Sequence, residues 1–374
     1  MTPDDSAANW SRRRVLASLL GVGAVAPFVR GSRDVTGDSV VLRYTAHIPN
    51  SHGLYGKVFL PWEELVTERT GGRIRWEHFV DKLLHGPLDG FKAVATGVTD
   101  YTHAYATYQP GSFHLTHGLQ LPFLFPSPGV AALVSEELYP EYLKDEYERM
   151  GVYLAHCDST SAYDIISKTP IRSPSDIRGL KVRATGGLTA AIIRQVGAVP
   201  VVMAAAETYT AFQRGILDAV ALGGPDMAAY RLHETGNYFT RVGLTHTVLQ
   251  YCLSPRTFDG LPEDLRVELY NLFRLRGQVA HRNYYGGEAL DRSIETLVAG
   301  GVEIIELTPD EQQEWVDAIL PLERRFIEEN EARGLPAGDF VREARQRAAV
   351  YDGWTDQQLW DHILERPVQG IIAL

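Results

Sequence analysis

Arg183 is the residue of this sequence best suited to hold an anion. It ends a short apolar run, and Gly186-Gly187 follow almost at once. A planar guanidinium can make two parallel hydrogen bonds to a carboxylate. The same cation could equally be engaged by an acid such as Asp176 or Asp218, and local sequence leaves both uses open. The glycine pair suits a tight turn, or lets helix N–H groups approach an anion. It does not make a nucleotide site, because neither G-x-G-x-x-G nor G-x-x-x-x-G-K-[ST] is present.

Other chemistries find less support. The chain has 12 histidines, with His114 and His117 three apart and His78, His85 and His103 upstream. The paired H-E-x-x-H motif of a zinc site is missing, so neither a metal nor a cofactor is expected. A G-x-S-x-G elbow is also missing. Ser159, Thr160 and Ser161 cluster beside Asp158, but loop hydroxyls of this kind more often hydrogen-bond than attack. No catalytic constellation assembles, which argues against an enzyme. Tyr44, Tyr101, Tyr105, Tyr108, Tyr163 and Tyr251 fall near expected strand ends, where an apolar ring with one polar tip lines a small-molecule pocket well.

The elements that must position these residues read as α/β. "VVLRYTAHI" suits a buried strand, and "KVFLPWEELVTERTGG" places Phe59, Trp62, Leu65 and Val66 on one helical face. "RIRWEHF" alternates as a strand. "PLDGFKAVATG" predicts a short helix with Leu88, Phe91 and Val94 inward, and "VTDYTHAY" the next strand. "GVAALVSEELYPEYLKDEYERMG" predicts a helix broken near Pro140. "VYLAHCDSTSAYDIIS" reads as a strand, and "IRSPSDIRGL" as a turn and short helix capped by Ser173 or Ser175. Two stretches, "FKAVATGVTDYTHAYA" and "YTAFQRGILDAVALGG", share one plan: an aromatic-bearing helix, then G-apolar-x-D, then a strand. Gly97 and Asp100 match Gly215 and Asp218. The repeat predicts two similar units, whose strand ends face each other across a cleft. Thr308 and Pro309 should start a late helix.

At 374 residues two lobes are expected. A net charge of −11 argues against nucleic acid as partner, though one local arginine still suits a small anion. With only Cys157 and Cys252, a disulfide framework is excluded; the two either pair or stay as buried thiols. Arg12, Arg13 and Arg14 precede an apolar stretch from Val15 to Val29, too short to span a membrane comfortably. Residues 1–37 are therefore expected to be an export signal of twin-arginine type, with a short anchor helix as the alternative.

Taken together, "PIRSPSDIRGLKVRATGG", "GAVPVVMAAAETYTAFQRGILDAV", "WEELVTERTGGRIRWEHF", "AVATGVTDYTHAY" and "LQLPFLF" resemble, in order, the solute-binding proteins of tripartite ATP-independent periplasmic (TRAP) transporters, dicarboxylate-binding type. The resemblance implies a two-lobed periplasmic-binding-protein fold with a hinge and a central cleft. It implies lobe I over residues 40–161 and about 249–290, and lobe II over 162–248 and about 291–374, including outer C-terminal helices. The chain would cross near Ser161 and again near Leu249, with Cys157 and Cys252 close to the hinge. It further implies that Arg183 holds the carboxylate of a small organic acid, which is delivered to membrane permease subunits outside the cytoplasm. Tyr163, His47, His103, Tyr105 and Tyr251 are the expected further contacts. Tyr163 stands about where many relatives carry a second arginine, and Gly223-Gly224 where relatives often have asparagine. Both departures favour a monocarboxylate with a neutral or aromatic body, or a larger ligand that uses the space. An extracytoplasmic ligand sensor is the competing reading, and a secreted hydrolase a more distant one.

Overall fold

The computed structural model describes residues 39–109 and 111–374, so the expected export signal lies outside the described residues. Strands β1 (Val40–Thr45), β2 (Ile74–Phe79), β3 (Tyr101–His103) and β4 (Tyr153–Ser159) form one sheet with β10 (Val248–Leu253), in the order β2-β1-β3-β10-β4. Strands β5 (Tyr163–Ser167), β6 (Lys181–Ala184), β7 (Val199–Val202), β8 (Ala219–Gly223), β9 (Tyr238–Thr240) and β11 (Glu303–Ile305) form the other, in the order β11-β9-β5-β8-β6-β7. Each sheet has its own buried apolar core, the first built round Trp62, Tyr101 and Phe273, the second round Ile193, Phe212 and Trp315. The α/β, two-lobed expectation is met.

The repeat read from the sequence is real in three dimensions. Gly97 and Gly215 both adopt the left-handed conformation, at φ 73° and 74°. Asp100 then accepts a hydrogen bond from Arg43 N at 2.9 Å and returns one from its own N–H to Arg43 O at 3.1 Å. Asp218 does the same with Lys181, at 2.8 Å in each direction. Each aspartate thus clasps the strand beside its own, β1 in one lobe and β6 in the other. Asp218 is thereby committed, and so is Asp176, which accepts from Arg172 N and Ser173 N.

The chain crosses between lobes more often than expected. The run read as one strand divides into β4 and β5, which belong to different sheets. The outgoing and returning segments are bonded to each other: Thr160 N donates to Thr247 O at 3.0 Å, and Tyr163 N to Thr245 O at 2.7 Å. The helix Glu263–Ala280 then continues through a wider turn, His281–Tyr285, breaks at Gly286-Gly287 and resumes as Gly287–Ala299. Tyr284 and Tyr285 lie in the first core and Leu297 in the second. A fourth crossing runs along Pro321–Glu331, with Leu322 in the second core and Phe326 in the first. The helices Ala337–Val350 and Asp356–Glu365 consequently pack Phe340, Ala344, Leu359 and Trp360 into the first core, whereas the sequence reading grouped them with lobe II.

Smaller expectations fared unevenly. Thr308 caps Pro309–Ile319 in a reciprocal box with Glu311, and the helix Pro128–Leu138 gives way to a wider turn containing Pro140. The Ser173–Gly179 stretch is turns without a helix, because Asp176 bonds backbone N–H groups locally. Leu88 points to solvent ahead of the helix Gly90–Ala95. Cys157 and Cys252 are buried free thiols on neighbouring strands but out of register, opposite Gln250 and Leu154 respectively. No helix of the described residues is long and apolar enough to cross a membrane.

Candidate functional site

Both lobes and the hinge contribute to one cavity of about 40 Å³. The first lobe supplies His47 and His52 from the segment after β1, Tyr105, Thr107 and Tyr108 from the segment after β3, and Tyr285. The second supplies Tyr163, Arg183, Thr185 and Asp226, each at or just beyond a strand end, while Thr160 and Thr247 come from the paired hinge segments. A further pocket of about 350 Å³ adjoins it across Thr107, Tyr108 and Thr185.

Arg183 is fully buried. Its Nε and one terminal nitrogen donate to Met203 O at 3.3 and 3.1 Å, and the other terminal nitrogen to Ala221 O at 3.2 Å. These carbonyls fix the plane of the guanidinium and use three of its five N–H groups. Neither Asp176 nor Asp218 pairs with it. The contrast with the other buried arginines is informative: Arg274 faces Glu136 at 2.8 Å and Arg276 faces Asp158 at 3.1 Å. Among the described residues Arg183 has no such carboxylate within ion-pair distance, so its charge is oriented by neutral carbonyls alone.

The rest of the wall is mostly neutral. Burial lowers His47 to about 3 and His52 to about 4, so both rings are uncharged near neutrality. Burial raises the Tyr163 phenol, against the opposing pull of Arg183. Asp226 is the exception. Burial pushes its carboxyl up to about 7, while the Tyr284 hydroxyl at 3.2 Å and the Arg183 charge favour the ionised form.

The expected contacts divide into three groups. His47, Tyr105 and Tyr163 stand with Arg183 in the wall. His103 and Tyr251 lie one layer beneath: His103 Nδ1 bonds the Tyr105 hydroxyl at 2.8 Å, His103 Nε2 bonds that of Tyr44 at 2.8 Å, and the Tyr105 and Tyr251 hydroxyls are 3.4 Å apart. They orient Tyr105 rather than line the cavity. Gly223 and Gly224 are not brought to it. A Cβ on Gly223 would meet Ser161 Oγ at 2.6 Å, and one on Gly224 would meet Ile294 at 2.9 Å. The room left by their missing side chains is filled by the protein, which removes them as a sign of a larger ligand.

Sequence reasoning missed His52 and Asp226. His52 follows the first strand, where the strand-end rule could have placed it. Asp226 follows Pro225 in the first turn of Gly224–Ala229, and there an acid reads as an ordinary helix start.

Residues 45–330 match DctP, the bacterial extracellular solute-binding protein family 7. A C4-dicarboxylate-binding periplasmic protein DctP of Rhodobacter capsulatus is 25% identical over 333 residues, covering 87% of this chain and 97% of its own. The fold is similar to a TRAP solute-binding protein of Rhodoferax ferrireducens T118 in complex with copurified benzoate, with TM-score 0.79, 20% identity and coverage of 84% and 98%. It is also similar to a marine metagenome TRAP solute-binding protein specific for aromatic acid ligands, in complex with metahydroxyphenylacetate, with TM-score 0.79, 22% identity and coverage of 84% and 100%. With the family matched over most of its length, and an oriented arginine enclosed between two lobes, this chain belongs to the bacterial extracellular solute-binding proteins, family 7.

Proposed function

We propose that this solute-binding protein captures a small organic monocarboxylate through Arg183 and delivers it to the permease subunits of a TRAP-type secondary transporter. The chain binds its solute outside the cytoplasm and is not an enzyme. The observation that carries the substrate reading is the fully buried guanidinium, held by Met203 O and Ala221 O with no acid of its own. A ligand carboxylate completes it, and closure of the lobes strengthens the pair by excluding water. Tyr163 stands beside Arg183 as a neutral hydroxyl, so the site has one strong cation and suits one carboxylate. The body of the acid has room to extend past Tyr108 into the adjoining pocket. Export through the twin-arginine-like segment "SRRRVL" is part of this reading.

The test is calorimetry of the purified protein with a panel of aliphatic and aromatic monocarboxylates, against Arg183→Ala. The variant should keep its thermal midpoint within a few degrees and lose binding by at least about a hundredfold, as expected for loss of a desolvated charge partner. Unchanged affinity in a folded Arg183→Ala protein would overturn the assignment.

A further inference from the structure

Three cavity-lining side chains carry buried polar atoms with no hydrogen-bond partner: His47 Nδ1, His52 Nε2 and Thr107 Oγ1. Buried polar atoms are ordinarily satisfied, so three orphans round one cavity point to a ligand with more polar character than a lone carboxylate. His52 gives the most specific information. Its Nδ1 accepts from Leu54 N at 3.3 Å, and the ring is neutral because it is buried. The proton therefore sits on Nε2, which faces Asp226 Oδ1 across 3.8 Å, too far for a hydrogen bond. The gap is held from both sides. Tyr284 donates to Asp226 Oδ1 and Pro225 O, and the His52 ring packs between Tyr230 and Tyr284 at centroid distances of 5.0 and 5.8 Å.

We infer that the ligand is a hydroxy acid, whose carboxylate takes Arg183 and whose hydroxyl sits beside the His52–Asp226 gap within reach of both, accepting from His52 Nε2 and donating to the Asp226 carboxylate. This rests on the carboxylate reading of Arg183 and narrows it. A hydroxyl is the group that both accepts and donates at one atom. A second carboxylate would accept from His52 but stand against the ionised Asp226, and could be held only with Asp226 protonated, a form that burial favours up to about pH 7. An ammonium would pair with Asp226 but meet the His52 N–H. A methyl or ring carbon would leave both unpaired, at the cost attached to buried polar groups without partners. The same arrangement therefore disfavours C4-dicarboxylates.

The test uses matched probes by calorimetry: propionate and lactate, phenylacetate and mandelate, benzoate and 3-hydroxybenzoate, with succinate as the dicarboxylate. In the unmodified protein the hydroxylated member of at least one pair should bind roughly ten- to a hundredfold tighter, as for a hydrogen bond to a charged group. Succinate should bind more weakly than that member. Asp226→Leu and His52→Phe should each reduce the difference within the pair to about threefold or less. The nearly isosteric Asp226→Asn keeps an acceptor, and should keep part of it. Equal affinity within every pair, or a preference that survives both substitutions, would overturn the hydroxyl site while leaving the Arg183 dependence intact. Binding that is indifferent to Arg183→Ala would overturn the carboxylate reading and this inference with it.

Discussion

Asp226, inferred above to recognise a ligand hydroxyl, also carries a stability cost. Its carboxyl ionises near 4 in an unfolded chain and near 7 in the folded one, burial being the main cause. Between those values the folded chain holds a proton that the unfolded chain has released, so stability falls as pH rises across that window and is level above it. Asp226→Asn removes the effect. The thermal midpoint of the variant should gain on the unmodified protein progressively from about pH 4 to about pH 7, then run parallel to it. Circular dichroism melts at four pH values would show this, and an offset independent of pH would refute it. At this scale the sequence was only half legible. An arginine at a strand end beside a glycine turn is conspicuous by type and place. The meaning of Asp226 depends on His52 and Tyr284, residues 174 and 58 positions away in the chain, and no local pattern announces that meeting.

Among the elements, the joined helices Glu263–Ala280 and Gly287–Ala299 matter most to movement, because they run from one core into the other. Gly287 sits at φ 48°, a conformation that costs a residue bearing a Cβ about 1–2 kcal/mol. Gly286 is confined by space, since a Cβ there would lie 2.1 Å from the His281 ring. We expect Gly287→Ala to lower unfolding free energy by about 1–2 kcal/mol, measured by urea denaturation with an unchanged slope. A cost below a few tenths would show that the joint relaxes without strain. The sequence revealed the helical periodicity of this region but not its partners. Phe326 and Phe340 are ordinary core positions in any helical reading, and only packing shows that both fill the first lobe. The Gly97–Asp100 and Gly215–Asp218 repeat was legible, because a left-handed glycine cap followed by an aspartate turn is a local mechanism. The clasps themselves were not, since their partners Arg43 and Lys181 lie 57 and 37 positions away on other strands.

For the whole molecule, net charge and local charge act in opposite directions. The chain carries −11 overall, yet it buries the Arg183 cation in the wall of the cleft, where the proposed ligand carboxylate would meet it. Long-range repulsion slows encounter and is screened by salt, whereas the buried contact to Arg183 is screened much less. The association rate of a carboxylate should therefore rise between 20 and 500 mM salt, by about two- to fivefold, with the dissociation rate nearly constant. Stopped-flow measurement of tryptophan fluorescence would test it, and a rate that falls with salt would locate an attractive field that the composition does not suggest. The carbonyl-held arginine has a last consequence. On the proposed reading, shutting the lobes round Arg183 without cargo would strand a charge in a dry interior, and an unmatched charge of that kind costs about 3–5 kcal/mol. The protein's outline would thereby become a statement about its contents, and a permease gripping only the shut form would be protected from false deliveries without ever inspecting the load.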